Sequence, residues 1–143
     1  TMTMAYLDPP VFYTAHVGDS RAYLYRRQWL VQLTRDQTIA QMLVDAGVVE
    51  ADRVGDHPLR NVLGSVLCGD ARQLLSCIGK SRLMPGDQLL LCTDGLTRHV
   101  PDNHIAEILD TACTAAAACR ELISTAIAAG GNDNITAVIH RIQ

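Results

Sequence analysis

The sequence has no CxxC pair, no Cys/His ligand spacing, a single lysine, a single phenylalanine and no apolar run near the thickness of a bilayer. Each lack removes a class of protein. The five cysteines, Cys68, Cys77, Cys92, Cys113 and Cys119, are odd in number and spaced for neither a zinc site nor a disulfide framework. They read mostly as small core residues in a reducing compartment. A membrane helix needs about 18 to 20 consecutive apolar residues, and none is found. The N-terminus also lacks the basic-then-apolar order of a signal peptide. A soluble, cytoplasmic chain without a membrane partner is the expectation. The formal charge is only −3 and the eleven arginines are scattered, so there is no basic footprint for nucleic acid.

What is present is a globular composition. With 48% hydrophobic and 19% charged residues over 143 positions, the chain is expected to fold as one unit with a real core. Val11 to Val17, Ala22 to Arg26 and Trp29 to Leu33 are rich in β-branched and aromatic residues and read as strands of a meander. The charged turn "GDSR" separates the first two, and Gly18 in it is able to take positive φ. "TMTMAYL" already has strand character, as though the chain began inside a larger domain.

From Asp36 the period changes. Ile39, Met42, Leu43 and Ala46 fall at helical spacing, with Thr34 or Asp36 as a cap and Gly47 as a stop. Val48 to Gly69 carries no clear period. Strands are expected again at Gln73 to Ile78 and Gln88 to Cys92, the latter entered through the turn Pro85-Gly86-Asp87. Two helices should follow. Pro101 suits the first turn of one, and the other places Cys119, Leu122, Ile123, Ala126 and Ile127 on a face before Gly130-Gly131. Ile135 to Ile142 alternates as a last strand. Strands grouped with strands and helices with helices argue for an α+β fold built on antiparallel sheet.

Three aspartates stand where strands end or begin: Asp19 in "HVGDSR", Asp94 in "LLCTDGL" and Asp133 in "GGNDNIT". Each is flanked by glycine or polar turn residues that can present a carboxylate at a rim. Oxygen ligands of this kind suit hard ions such as Mg²⁺ or Mn²⁺. Each also has a plain reading: Asp19 as a turn aspartate bonded to its own backbone, Asp94 as an N-cap, and Asp133 as part of a Gly-Gly-Asn-Asp turn. Spacing along the chain does not bring the three together.

The segments "AHVGDSRAYLYR", "LTRDQT", "HPLRNVLGS", "GDQLLLCTDGLTRHV" and "GGNDNITAVI" occur in an order and approximate spacing that resembles the metal-dependent PPM/PP2C family of protein serine/threonine phosphatases, in its bacterial form. The likeness runs over nearly the whole chain and covers the C-terminal part of a family domain. It implies a sandwich of two antiparallel sheets flanked by helices, with a binuclear Mg²⁺ or Mn²⁺ centre at one end. By the same resemblance Asp94 and Asp133 correspond to metal ligands, and Asp19 to the aspartate of a third, weaker metal. Thr38 to about Leu67 corresponds to a flap beside the site. The implied reaction is hydrolysis of phosphoserine and phosphothreonine in a phosphoprotein partner, by water that two metal ions activate and orient.

The sequence also departs from the family. No "DGxGG" element supplies the aspartate that bridges the two metals, so the site within this chain is incomplete. Arg98 stands where many family members carry another aspartate of the third-metal site, and its charge opposes a cation unless the side chain points away. Gln37 replaces a frequent histidine. A salt bridge is the expected role of Arg98 and of Arg21, with phosphate binding as the alternative. His16 is expected to be a satisfied core or edge histidine. "GKS" at Gly79 to Ser81 resembles a P-loop end, but Leu74 stands where that motif needs glycine. Two further expectations follow from the missing part. A catalytically silent, phosphatase-like regulatory or interaction module is the alternative function. Exposed edges and apolar surface favour a homodimer.

Overall fold

In the computed structural model, which describes residues 1–68, 75–131 and 133–143, strands β1 (Met2–Asp8) and β2 (Val11–Val17) form an antiparallel hairpin with Met2 opposite Val17. Strands β3 (Arg21–Arg26) and β4 (Trp29–Gln32) form a second hairpin. Its two-residue turn places Arg27 and Gln28 at φ 50° and 68°, the left-handed pair that matches the twist of the strands. Strand β5 (Cys77–Arg82) completes a sheet of order β1-β2-β5, while β6 (Gln88–Cys92) and β7 (Ala137–Arg141) complete one of order β4-β3-β6-β7. All pairings are antiparallel.

This topology corrects the meander expected over the first three strands. β2 and β3 lie in different sheets, so "GDSR" is a crossover and not a hairpin turn. β2 alternates, but β3 is buried on both faces from Ala22 to Tyr25, because it lies between the other sheet and the helices; strand character in either segment is the same whichever sheet it joins. Here Phe12 of β2 and Leu83, just past the end of β5, meet Leu24 and Leu89 of the other sheet in a shared buried cluster. The two sheets therefore pack as a sandwich, and the fold class is α+β as expected.

The other face of β4-β3-β6-β7 is covered by helices. Tyr23, Tyr25, Leu90 and Cys92 pack against Ile105, Ile108 and Leu109 of α3 (Asp102–Thr111) and Ala118, Leu122 and Ala126 of α4 (Ala115–Ala128). Each fully buried leucine or isoleucine there contributes roughly 1.5 to 3 kcal/mol by leaving water. The buried face of α4 is turned slightly from the expected one. Ala118 replaces Cys119 at its centre, and Ile127 is exposed. Thr114 caps α4 by accepting from Ala117 N–H at 3.1 Å, and Gly130, at φ 97°, ends it. Pro101 is the extended residue before α3 and not part of its first turn.

Four further expectations are adjusted. α1 (Ile39–Asp45) is capped by Thr38, whose hydroxyl accepts from Gln41 N–H at 3.2 Å, because Thr34 and Asp36 are engaged elsewhere. β5 starts at Cys77 and runs to Arg82, so "GKS" is strand; residues 73 and 74 of the expected strand lie outside the described residues. β7 is shorter than Ile135 to Ile142. Of the five cysteines only Cys92 is buried; Cys68, Cys77 and Cys113 are exposed and Cys119 is intermediate.

Among the described residues no helix is long and apolar enough to cross a membrane. The outer face of β1-β2-β5 is open. Register places Met4, Ala15 and Ile78 in one row and Tyr6, Tyr13 and Lys80 in the next, with Tyr6 60% and Ile78 78% exposed.

Candidate functional site

The crossover from β2 to β3 positions Asp19. Gly18, at φ 112°, turns the chain where a side chain would be strained. Its N–H donates to Gln37 Oε1 at 2.9 Å, its carbonyl accepts from Gln37 N–H at 2.8 Å, and Gln37 Nε2 donates to the Leu75 carbonyl at 2.7 Å. The residue that departs from the resemblance thus pins the crossover to the next loop. Behind it His16 is buried, with Nδ1 2.9 Å from Thr3 Oγ1 and Nε2 3.2 Å from the Arg35 carbonyl. It is the satisfied core histidine that was expected.

Asp94 opens α2 (Asp94–Thr97), directly after β6, with Thr93 and not Asp94 at the cap position. Two neighbours hold this turn against the loop carrying Asp133. Thr93 Oγ1 donates to the Asn134 carbonyl at 3.1 Å and accepts from Thr136 N–H at 3.0 Å. A Cβ on Gly95 would lie 2.5 Å from that same carbonyl, so only glycine permits the approach. Sequence reading singled out neither Thr93 nor Gly95, although the "TDG" triplet contains both.

The three aspartates do converge, and they converge on Arg98. This residue caps the C-terminus of α2 and its guanidinium pairs with the Asp94 carboxylate four residues back. Its Nη1 is 3.5 Å from Asp133 Oδ2 and its Nη2 is 3.9 Å from Asp19 Oδ2. Among the described residues no group of three or more carboxylate, histidine or cysteine side chains is already arranged to hold a metal ion. Burial, and after it the charge of Asp94, raises the pKa of the Asp19 carboxyl. Arg21 forms a two-pronged pair with Asp36, its Nη2 2.7 Å from Asp36 Oδ2, which is the expected salt bridge.

Asp19, Asp94, Arg98, Arg21 and Asp36 open onto a cleft of about 310 Å³. Its lining includes Asp19, Asp94 and Arg98, and also Arg60 and Asn61. The latter belong to the segment Thr38 to Leu67, which leaves and returns at one point through an isolated Thr38–Leu63 bridge and the Gly64 N–H to Gln37 carbonyl bond of 2.7 Å. Burial pushes the Cys92 thiol up to about 12, so it is not poised as a nucleophile.

No protein-family model matches the chain. Among curated proteins, the serine/threonine protein phosphatase PstP of Mycobacterium tuberculosis is 40% identical over 124 residues, 87% of this chain and 24% of that protein. Among solved structures, the Mycobacterium tuberculosis serine/threonine phosphatase PstP/Ppp superposes with a TM-score of 0.91 and 33% identity, covering 99% of this chain and 59% of that one. This chain is a homologue of the PP2C-type serine/threonine phosphatases. The PstP catalytic domain in complex with 2 manganese ions superposes with a TM-score of 0.80 and 31% identity, over 96% of this chain and 56% of that one. The chain therefore spans less than two thirds of each of these PP2C-type relatives.

Proposed function

We propose that this chain carries part of the active site of a metal-dependent phosphatase that hydrolyses phosphoserine and phosphothreonine in proteins. The observation that carries the reading is the convergence of Asp19, Asp94 and Asp133 on a single positive charge, Arg98, that lines a cleft. The donor set is all carboxylate oxygen, which fits a hard divalent ion in kind. Asp94 and Asp133 would hold Mg²⁺ or Mn²⁺, and Asp19 would hold a more weakly bound one. A PstP domain in complex with 2 manganese ions among the structural relatives supports metal dependence. When bound, such ions neutralise phosphate charge and make water a competent nucleophile at neutral pH.

The chain's own residues do the placing. Thr93 and Gly95 keep the Asp94 and Asp133 loops in contact, and Gln37 keeps Asp19 at the rim. Arg60 and Asn61, which also line the cleft, offer a cation and an amide to a phosphate there. Asp94, Asp133 and Asp19 would hold only part of such a site, and further carboxylates would come from the rest of the domain. The chain is, on this reading, the C-terminal portion of a larger phosphatase domain. The phosphatase names of the relatives weigh against a catalytically silent module.

A second copy or another part of the same protein would cover the apolar rows of Met4, Tyr6 and Ile78 on the first sheet. The catalytic reading is tested by assaying the full-length protein on a phosphothreonine peptide with and without Mn²⁺. Turnover that is Mn²⁺-dependent and lost in Asp94→Asn and Asp133→Asn supports it; metal-independent turnover, or turnover indifferent to both substitutions, rejects it.

A further inference from the structure

We infer that Arg98 is an internal counter-cation that occupies the carboxylate focus of this site and must be displaced before a divalent ion can bind there. The inference rests on the reading of Asp94 and Asp133 as ligands and goes beyond it. The three carboxylates come from separate places in the chain, the β2–β3 crossover, the start of α2 and the loop before β7. Their shared partner is one guanidinium, reached at 3.5 Å by Asp133 and 3.9 Å by Asp19 and most closely by Asp94. Distances of 3.5 and 3.9 Å are those of charge attraction more than of hydrogen bonding. The guanidinium is held by the summed field of the three groups and not by a fork fitted to one of them.

Charge counting gives the consequence. Three carboxylates and one guanidinium leave a local charge of −2, which still attracts a dication. Arg98 and a dication cannot share the focus, because like charges at such separation repel strongly in a partly buried site. Displacement is feasible. The Arg98 side chain is 35% exposed, sits at the end of a four-residue helix, and can swing into the cleft it lines. Pairs with that exposure are individually weak. Arg98 thus lowers the affinity of the site for divalent ions and keeps the three loops together when no ion is bound.

The test is Mn²⁺ binding to the full-length protein by titration calorimetry, with free Mn²⁺ followed by its electron paramagnetic resonance signal. The proteins are the wild type, Arg98→Gln, Arg98→Lys, Asp94→Asn and the double variant Arg98→Gln/Asp94→Asn, each checked for native far-ultraviolet circular dichroism. We expect Arg98→Gln to bind Mn²⁺ at least about tenfold more tightly than wild type. Arg98→Lys should fall between the two, and the double variant should lose the gain. If Arg98→Gln binds no more tightly while Asp94→Asn weakens binding, the inference is overturned and the ligand assignment stands. If neither substitution changes binding, both fail.

Discussion

Arg98 and Asp94 lie one helical turn apart, and that turn is the whole of α2; the guanidinium folds back onto the carboxylate at its start. An i,i+4 pair on a surface helix is ordinarily a small stabilising term of a few tenths of a kcal/mol. Here the same guanidinium also faces Asp19 and Asp133, which belong to other loops. The pair is therefore part of a tertiary focus of charge. Asp94→Asn should leave the melting temperature within a few degrees of wild type and reduce Mn²⁺-dependent hydrolysis by the full-length protein on the order of a hundredfold or more. A thermal melt run beside the p-nitrophenyl phosphate assay separates the two effects.

Gly95 is a more severe test of how the site is built. A methyl group there meets the Asn134 carbonyl at 2.5 Å. Gly95→Ala should force the α2 turn away from the Asp133 loop at a cost of roughly 1 to 3 kcal/mol, as overpacking commonly does. Chemical denaturation reads the cost. Unchanged stability with unchanged Mn²⁺ binding would show that the close approach does not matter.

The buried charge at the opposite end of the sandwich should be costly to orphan. Asp87 is 1% exposed, accepts from Arg26 Nε and Nη2 at 2.7 Å each, and accepts from Met84 N–H at 2.8 Å. Burial alone would raise its pKa, but these donors hold the carboxyl below its ordinary value. Arg26→Met should destabilise by about 3 kcal/mol, because it leaves the carboxylate buried without its cation. Arg26→Met/Asp87→Asn should recover part of that loss in the same denaturation experiment.

His16 should give the fold a pH dependence. Burial lowers its pKa from 6.5, against the opposing pull of the Arg35 and Gly18 carbonyls and of the Asp36 and Asp19 charges. The unfolded chain then takes up the proton first as pH falls. Its contribution is complete above about 6.5 and is lost progressively from there down to the lower folded-state value. Wild type should lose melting temperature across that window more steeply than His16→Gln. Parallel curves would show that His16 is not the group responsible.

The open face of β1-β2-β5 should make the chain associate. Ile78 is 78% exposed at the end of the row it shares with Met4 and Ala15. Sedimentation velocity at micromolar concentration should show a dimer that Ile78→Lys shifts toward monomer. A monomer in both proteins would remove the association reading.

Local signals carried much of the chain. The β-branched and aromatic run of Val11 to Val17, the apolar run of Gln88 to Cys92 after its turn, the helical spacing after Asp36, and the glycine stops at Gly47 and Gly130 each report a local preference that folding did not override. The three aspartates could be singled out because turn residues flank them. Two things depended on the tertiary structure. The "GDSR" turn crosses between sheets instead of closing a hairpin, because sheet membership is decided by which distant strand pairs with β2 and β3, here β5 and β6. The role of Arg98 was likewise settled in space. Its charge is written in the sequence, but its partners Asp19 and Asp133 are 79 and 35 positions away, and only the packing of three loops around α2 places one guanidinium among them.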